Sequence, residues 1–82
     1  MKVKNNVKEY RKKKKITQVQ LAETVEVSRQ SIYAIETGKS EPSLELAFKL
    51  SIALDVDIKK LFELIDTEDT TKKPEIAPYS LF

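Results

Sequence analysis

The 82-residue sequence predicts an all-α fold, a compact bundle of five short helices with a short C-terminal tail. Three observations lead there. One glycine and three prolines are all that punctuate the chain, and no segment sustains the alternation of a strand. Apolar residues instead recur three and four positions apart. Polar residues suited to opening a helix (Thr17, Ser28, Ser43 and Asp57) stand just ahead of those periodic stretches.

The first helix is expected from about Asn6 to Lys14, with Val7 and Tyr10 inward and lysines outward. Thr17 caps a second that runs to about Thr24. Ser28 caps a third, which ends near Thr37 with Gly38 as its left-handed stop. Pro42-Ser43 opens the fourth, where Leu44, Ala47, Leu50, Ser51 and Leu54 recur at helical spacing, with Leu46 and Ala53 beside them. Asp57 caps the fifth, from Ile58 to about Ile65, with Ile58, Leu61, Phe62 and Ile65 on its apolar face.

This divides the chain into a helical domain, residues 1–65, and a tail, residues 66–82. The tail begins polar and charged, and Pro74 and Pro78 break any helix. It then regains apolar side chains at Ile76, Tyr79, Leu81 and Phe82. An ordering contact on its own core, a strand with a partner subunit, a docking peptide for another protein and a frayed terminus all fit that pattern.

Composition narrows the function classes. Without cysteine or histidine, neither disulfides, thiolate metal sites nor the commonest general base near neutral pH is on offer. No apolar run approaches the roughly 20 residues that cross a bilayer, and the basic N-terminus lacks the apolar stretch of a signal peptide. A soluble, cytoplasmic protein is expected, with no cofactor, no metal and no membrane partner. An enzyme is not expected: carboxylates are plentiful, but no glycine-rich loop and no nucleophile beside a base accompanies them.

The net charge of +2 conceals an asymmetry. Residues 1–39 carry ten Lys or Arg against four Asp or Glu, which is +6; residues 40–82 carry five against nine, which is −4. A basic half joined to an acidic half suits one face turned toward a polyanion. Lysines that merely solubilise a helix would give the same count.

The basic half also holds the segment Gln18 to Glu36, QVQLAETVEVSRQSIYAIE, followed by Thr37-Gly38. Small or apolar residues at Leu21, Ala22, Val25, Val27, Ile32 and Ile35 let two helices cross closely, leaving the first turn of the second exposed. Arg29 and Gln30 stand in that turn. An arginine fork pairs with guanine O6 and N7, and a glutamine with adenine N6 and N7.

In register, Ile16-Thr17-Gln18, Leu21-Ala22, Val27 to Ile32, Ile35 to Lys39 and Pro42-Ser43 closely resemble the Cro and phage-repressor type of helix-turn-helix protein, over residues 5–65. The resemblance implies a lambda-repressor-like domain, usually dimeric, that binds a double-stranded DNA operator and controls transcription. By position, Arg29, Gln30, Tyr33 and Ala34 match residues that face bases. Gln18 matches one that holds a phosphate. Thr37, Lys39 and Ser40 match backbone contacts, and Ser28 and Ser31 join them as candidates. Arg11 and Glu36 match an ion pair between the first and third helices.

Two positions depart from the family pattern. Glu26 and Asp55 stand where glycine is typical, so each must accept a left-handed backbone or use a different turn. The expected function is a sequence-specific regulator, a repressor, that binds a palindrome as a homodimer. The alternative is an antitoxin-like or phage-type adaptor that also binds a protein partner through residues 74–82.

Overall fold

Five helices form around one core, as the periodicity requires, but two short strands accompany them. A computed structural model describes residues 2–65; the readings placed on the tail, including the partner-binding segment 74–82, fall outside the described residues. The order is β1 (Lys2–Asn5), α1 (Val7–Lys13), α2 (Gln18–Val25), α3 (Arg29–Glu36), α4 (Leu44–Leu54), α5 (Ile58–Leu61) and β2 (Phe62–Ile65).

Local chemistry starts each helix. The Thr17 hydroxyl accepts from the Gln20 amide while the Gln20 side chain accepts from the Thr17 amide, a closed capping box. Ser28, Ser43 and Asp57 each accept from a backbone amide in the first turn of α3, α4 and α5.

Local chemistry also ends them. Residues at positive φ follow α1 to α4: Lys15 at 60°, Glu26 at 64°, Gly38 at 79° and Asp55 at 55°. At all four sites the amide one residue further on reaches back to the carbonyl five positions earlier, as Val27 does to Ala22 and Lys39 to Ala34. Glu26 and Asp55 thus adopt the geometry that glycine would fill, and Lys15 joins them. Glu26 also lies 3.4 Å from Lys49, whose ammonium is 3.2 Å from Glu45. Hydrogen bonds to Glu45 first and Glu26 second hold the Lys49 pKa above its ordinary value.

A lysine in the left-handed region costs about 1–2 kcal/mol, against about 0.5–1 kcal/mol for the backbone freedom a glycine loses. Lys15→Gly is therefore expected to stabilise the domain by about 0.5–1 kcal/mol, read as a higher urea midpoint at unchanged slope. Glu26→Gly gains less, because its contact with Lys49 goes too.

The core is built from Val7, Leu21, Ala22, Val25, Ile32, Ile35, Leu50, Leu54 and Leu61. Ala22 is the small residue that lets α2 and α3 approach. Two expectations are corrected here. The fifth helix stops at Leu61, because Phe62 turns extended (φ −126°, ψ 134°) and starts β2. The chain is thus mostly helical rather than all-α: β2 pairs antiparallel with β1, Val3 opposite Leu64 and Asn5 opposite Phe62. Leu44, read as a core position, is 73% exposed.

Two adjacent asparagines tie the sheet to the bundle. Asn5 donates to the Ile35 carbonyl at 2.7 Å and accepts from the Val7 amide. Asn6 donates to the Lys60 carbonyl and the Glu63 carboxylate, and its backbone amide reaches Leu61. The Asn5 bond pins the C-terminal end of α3, so the sheet helps to hold that helix in place.

Candidate nucleic-acid interface

The α2–α3 pair sits on the core through Leu21, Ala22, Val25, Ile32 and Ile35, which leaves the opposite side of α3 outward. Ser28, Arg29, Gln30 and Tyr33 are exposed, and Ser31 and Ala34 are partly covered. A cap fixes the tip: the Ser28 oxygen accepts from the Ser31 amide at 3.1 Å, and the two serine hydroxyls lie 3.1 Å apart. Both hydroxyls proposed for backbone contact therefore already work within the cap.

Beyond α3, the Gly38 and Lys39 amides return to the Ile35 and Ala34 carbonyls, closing a tight stop. The Ser40 amide joins Lys39 on the Ala34 carbonyl, and the Thr37 hydroxyl bonds the Tyr33 carbonyl at 2.9 Å. Thr37, Lys39 and Ser40 are exposed on this loop, and the Lys39 ammonium sits 5.8 Å from the centre of the Tyr33 ring. Arg29, Gln30, Tyr33 and Lys39 thus offer donors, a hydroxyl and two positive charges along one helix and its exit loop.

Beneath this surface runs a line of charge. Arg11 donates to Glu36 through Nε at 2.6 Å and Nη2 at 3.2 Å, and through Nη1 to the Ile16 carbonyl at 2.9 Å. The Glu36 side chain is only 2% exposed. Gln18 Nε2 donates to the same carboxylate at 3.0 Å, while Gln18 Oε1 accepts from Arg29 Nη1 at 3.0 Å. A carboxylate only accepts and a guanidinium only donates, so the Gln18 amide has one orientation that satisfies both. The base-facing Arg29 is therefore connected, through Gln18 and Glu36, to Arg11 on α1.

Sequence reasoning paired Arg11 with Glu36 and gave Gln18 a phosphate. It did not connect Gln18 to Arg29, and it missed Asn5 altogether. Two adjacent asparagines before an apolar helix start were the available signal. Among the described residues, no group of three or more acidic side chains is placed to hold a metal ion, and no helix is long and apolar enough to cross a membrane.

A helix-turn-helix family model matches residues 7–61. The chain belongs to that family. It is 47% identical, over 66 residues, to an uncharacterised helix-turn-helix-type transcriptional regulator of Methanocaldococcus jannaschii, covering 80% of this chain and all of that one. It is 37% identical over 71 residues to another from Archaeoglobus fulgidus, covering 87% of this chain and 99% of the relative. In three dimensions it is similar to the N-terminal DNA-binding domain of SinR from Bacillus subtilis, with a TM-score of 0.64 and 31% identity over 78% of this chain and 91% of that one. The resemblance to Cro and phage repressors is thereby established, and this protein is a DNA-binding helix-turn-helix transcriptional regulator.

Proposed function

We propose that the protein is a repressor that binds a palindromic operator as a homodimer, with α3 in the major groove. The observation that carries this reading is the exposed, capped tip of α3, where Arg29 is held ready by Gln18. Arg29 and Gln30 read base edges; each good paired contact contributes about 1–3 kcal/mol of discrimination. Tyr33 meets a thymine methyl or a phosphate, and Ala34 permits close approach. Gln18, Ser28, Ser31, Thr37, Lys39 and Ser40 fix the register on the backbone.

One copy makes few base contacts. Two copies double them and match a palindrome whose half-sites lie about 34–36 Å apart. The Arg11–Glu36 pair is structural. Regulator function needs no catalytic step, and none is assigned.

Footprinting of the full chain on its own upstream DNA tests the reading. Two equal protected patches one helical turn apart, with reduced transcription from the covered promoter, are expected. A single patch, or raised transcription, contradicts it. An adaptor that recruits a protein through residues 74–82 has no observation in its favour.

A further inference from the structure

The helix α4 leaves a stripe of apolar side chains uncovered. Leu44, Phe48 and Ile52 follow one another at four-residue intervals and are 73%, 50% and 79% exposed. They lie along one side of the helix, over about 12 Å of its length. Contiguous apolar surface of this kind marks a contact site. At the Leu44 end the stripe opens into a groove of about 320 Å³, lined by Val3, Pro42, Leu44, Ala47, Ile58 and Phe62. At the other end projects Ile52, the most exposed large apolar side chain of the described residues.

The pattern is symmetric about Phe48, with one apolar residue a helical turn to either side. A two-fold contact places the same patch on both subunits and needs such self-complementarity. An antiparallel second helix brings its Ile52 to the Leu44 end, where the groove lies, and sets the two Phe48 rings against each other. We propose that this face of α4 is the seat of a second copy of the chain, the two α4 helices lying antiparallel about a two-fold axis through Phe48. The proposal rests on the dimer reading above and gives that dimer its contact surface. It differs from an interface made by the fifth helix and the tail.

The test uses the full chain, with Leu44→Lys and Ile52→Glu made singly and their masses followed by sedimentation equilibrium. Both sites are exposed, and circular dichroism melts confirm folding in each variant. Either charge set against apolar side chains is expected to weaken its own dimer at least roughly tenfold. Mixed in equal amounts, the two variants are expected to regain a dimer. The introduced ammonium then meets the introduced carboxylate at one end, and Leu44 meets Ile52 at the other. A dimer that both variants leave intact would overturn the surface while the dimer reading stands. A wild-type chain that stays monomeric at the highest concentration reached would overturn both, assigning the stripe to the chain's own residues 66–82 or to another protein.

Discussion

Arg11→Ala is expected to destabilise the domain by about 3–5 kcal/mol, the cost of leaving a buried carboxylate without its partner. Small domains rest on about 5–15 kcal/mol in total, so much of the population unfolds near body temperature. The Glu36 carboxylate is 2% exposed and takes two of its three side-chain hydrogen bonds from Arg11, leaving only Gln18 once the guanidinium is gone. Thermal melts of the purified variant check this, and a loss under 1 kcal/mol would mean that water solvates Glu36 instead.

The paired change Arg11→Met with Glu36→Leu separates stability from recognition. Apolar side chains of similar volume commonly replace a buried ion pair at little or no cost. The double variant is therefore expected to fold, with a melting temperature near that of the parent. Gln18 then loses the acceptor that orients it, and Arg29 loses a fixed partner. A stable protein with blurred base preference is the expected result, because one carboxylate both supports the fold and aligns the reading side chain.

Ala22→Leu is expected to be the second most damaging change. Ala22 is buried between α2 and α3, and three added carbons force those helices apart at a cost of about 1–3 kcal/mol. The functional loss is expected to exceed the stability loss. A shift of α3 against α2 separates Gln18 from Arg29 and misaligns the tip with the groove, while lysine contacts to phosphate survive. Binding titrations on operator and on unrelated DNA, below the melting temperature, should show the ratio of the two affinities falling toward one. A retained ratio would mean that the close crossing does not set the recognition geometry.

The sequence disclosed what is local. Thr17, Ser28 and Asp57 each cap within three residues, and Gly38 closes the turn after α3 with bonds back to Ile35 and Ala34. Spacing alone therefore places those boundaries. Glu26 and Asp55 were legible as misfits, since a side chain stands where the backbone turns left-handed, but only φ values of 64° and 55° choose between strain and a different turn.

What stayed hidden is long-range. β1 and β2 are four residues each and lie at opposite ends of the domain, so neither has the length to announce a strand. FELI continues the apolar rhythm of α5, and only pairing with KVKN reveals that the helix has ended. In α4, apolar residues cover most of the circumference, so periodicity cannot say that Leu44 faces out while Leu50 faces in. The Gln18–Arg29 bond crosses between helices, and no residue spacing encodes it.

The central claim is that the exposed tip of α3 reads base edges, and selection of bound sequences from random DNA tests it most directly. The measurement compares the parent chain with Arg29→Ala and Gln30→Ala. The expected result is a palindromic preference in the parent that relaxes at one or two positions per half-site in each variant, with salt-sensitive residual binding retained. Identical preferences in all three proteins would contradict the account.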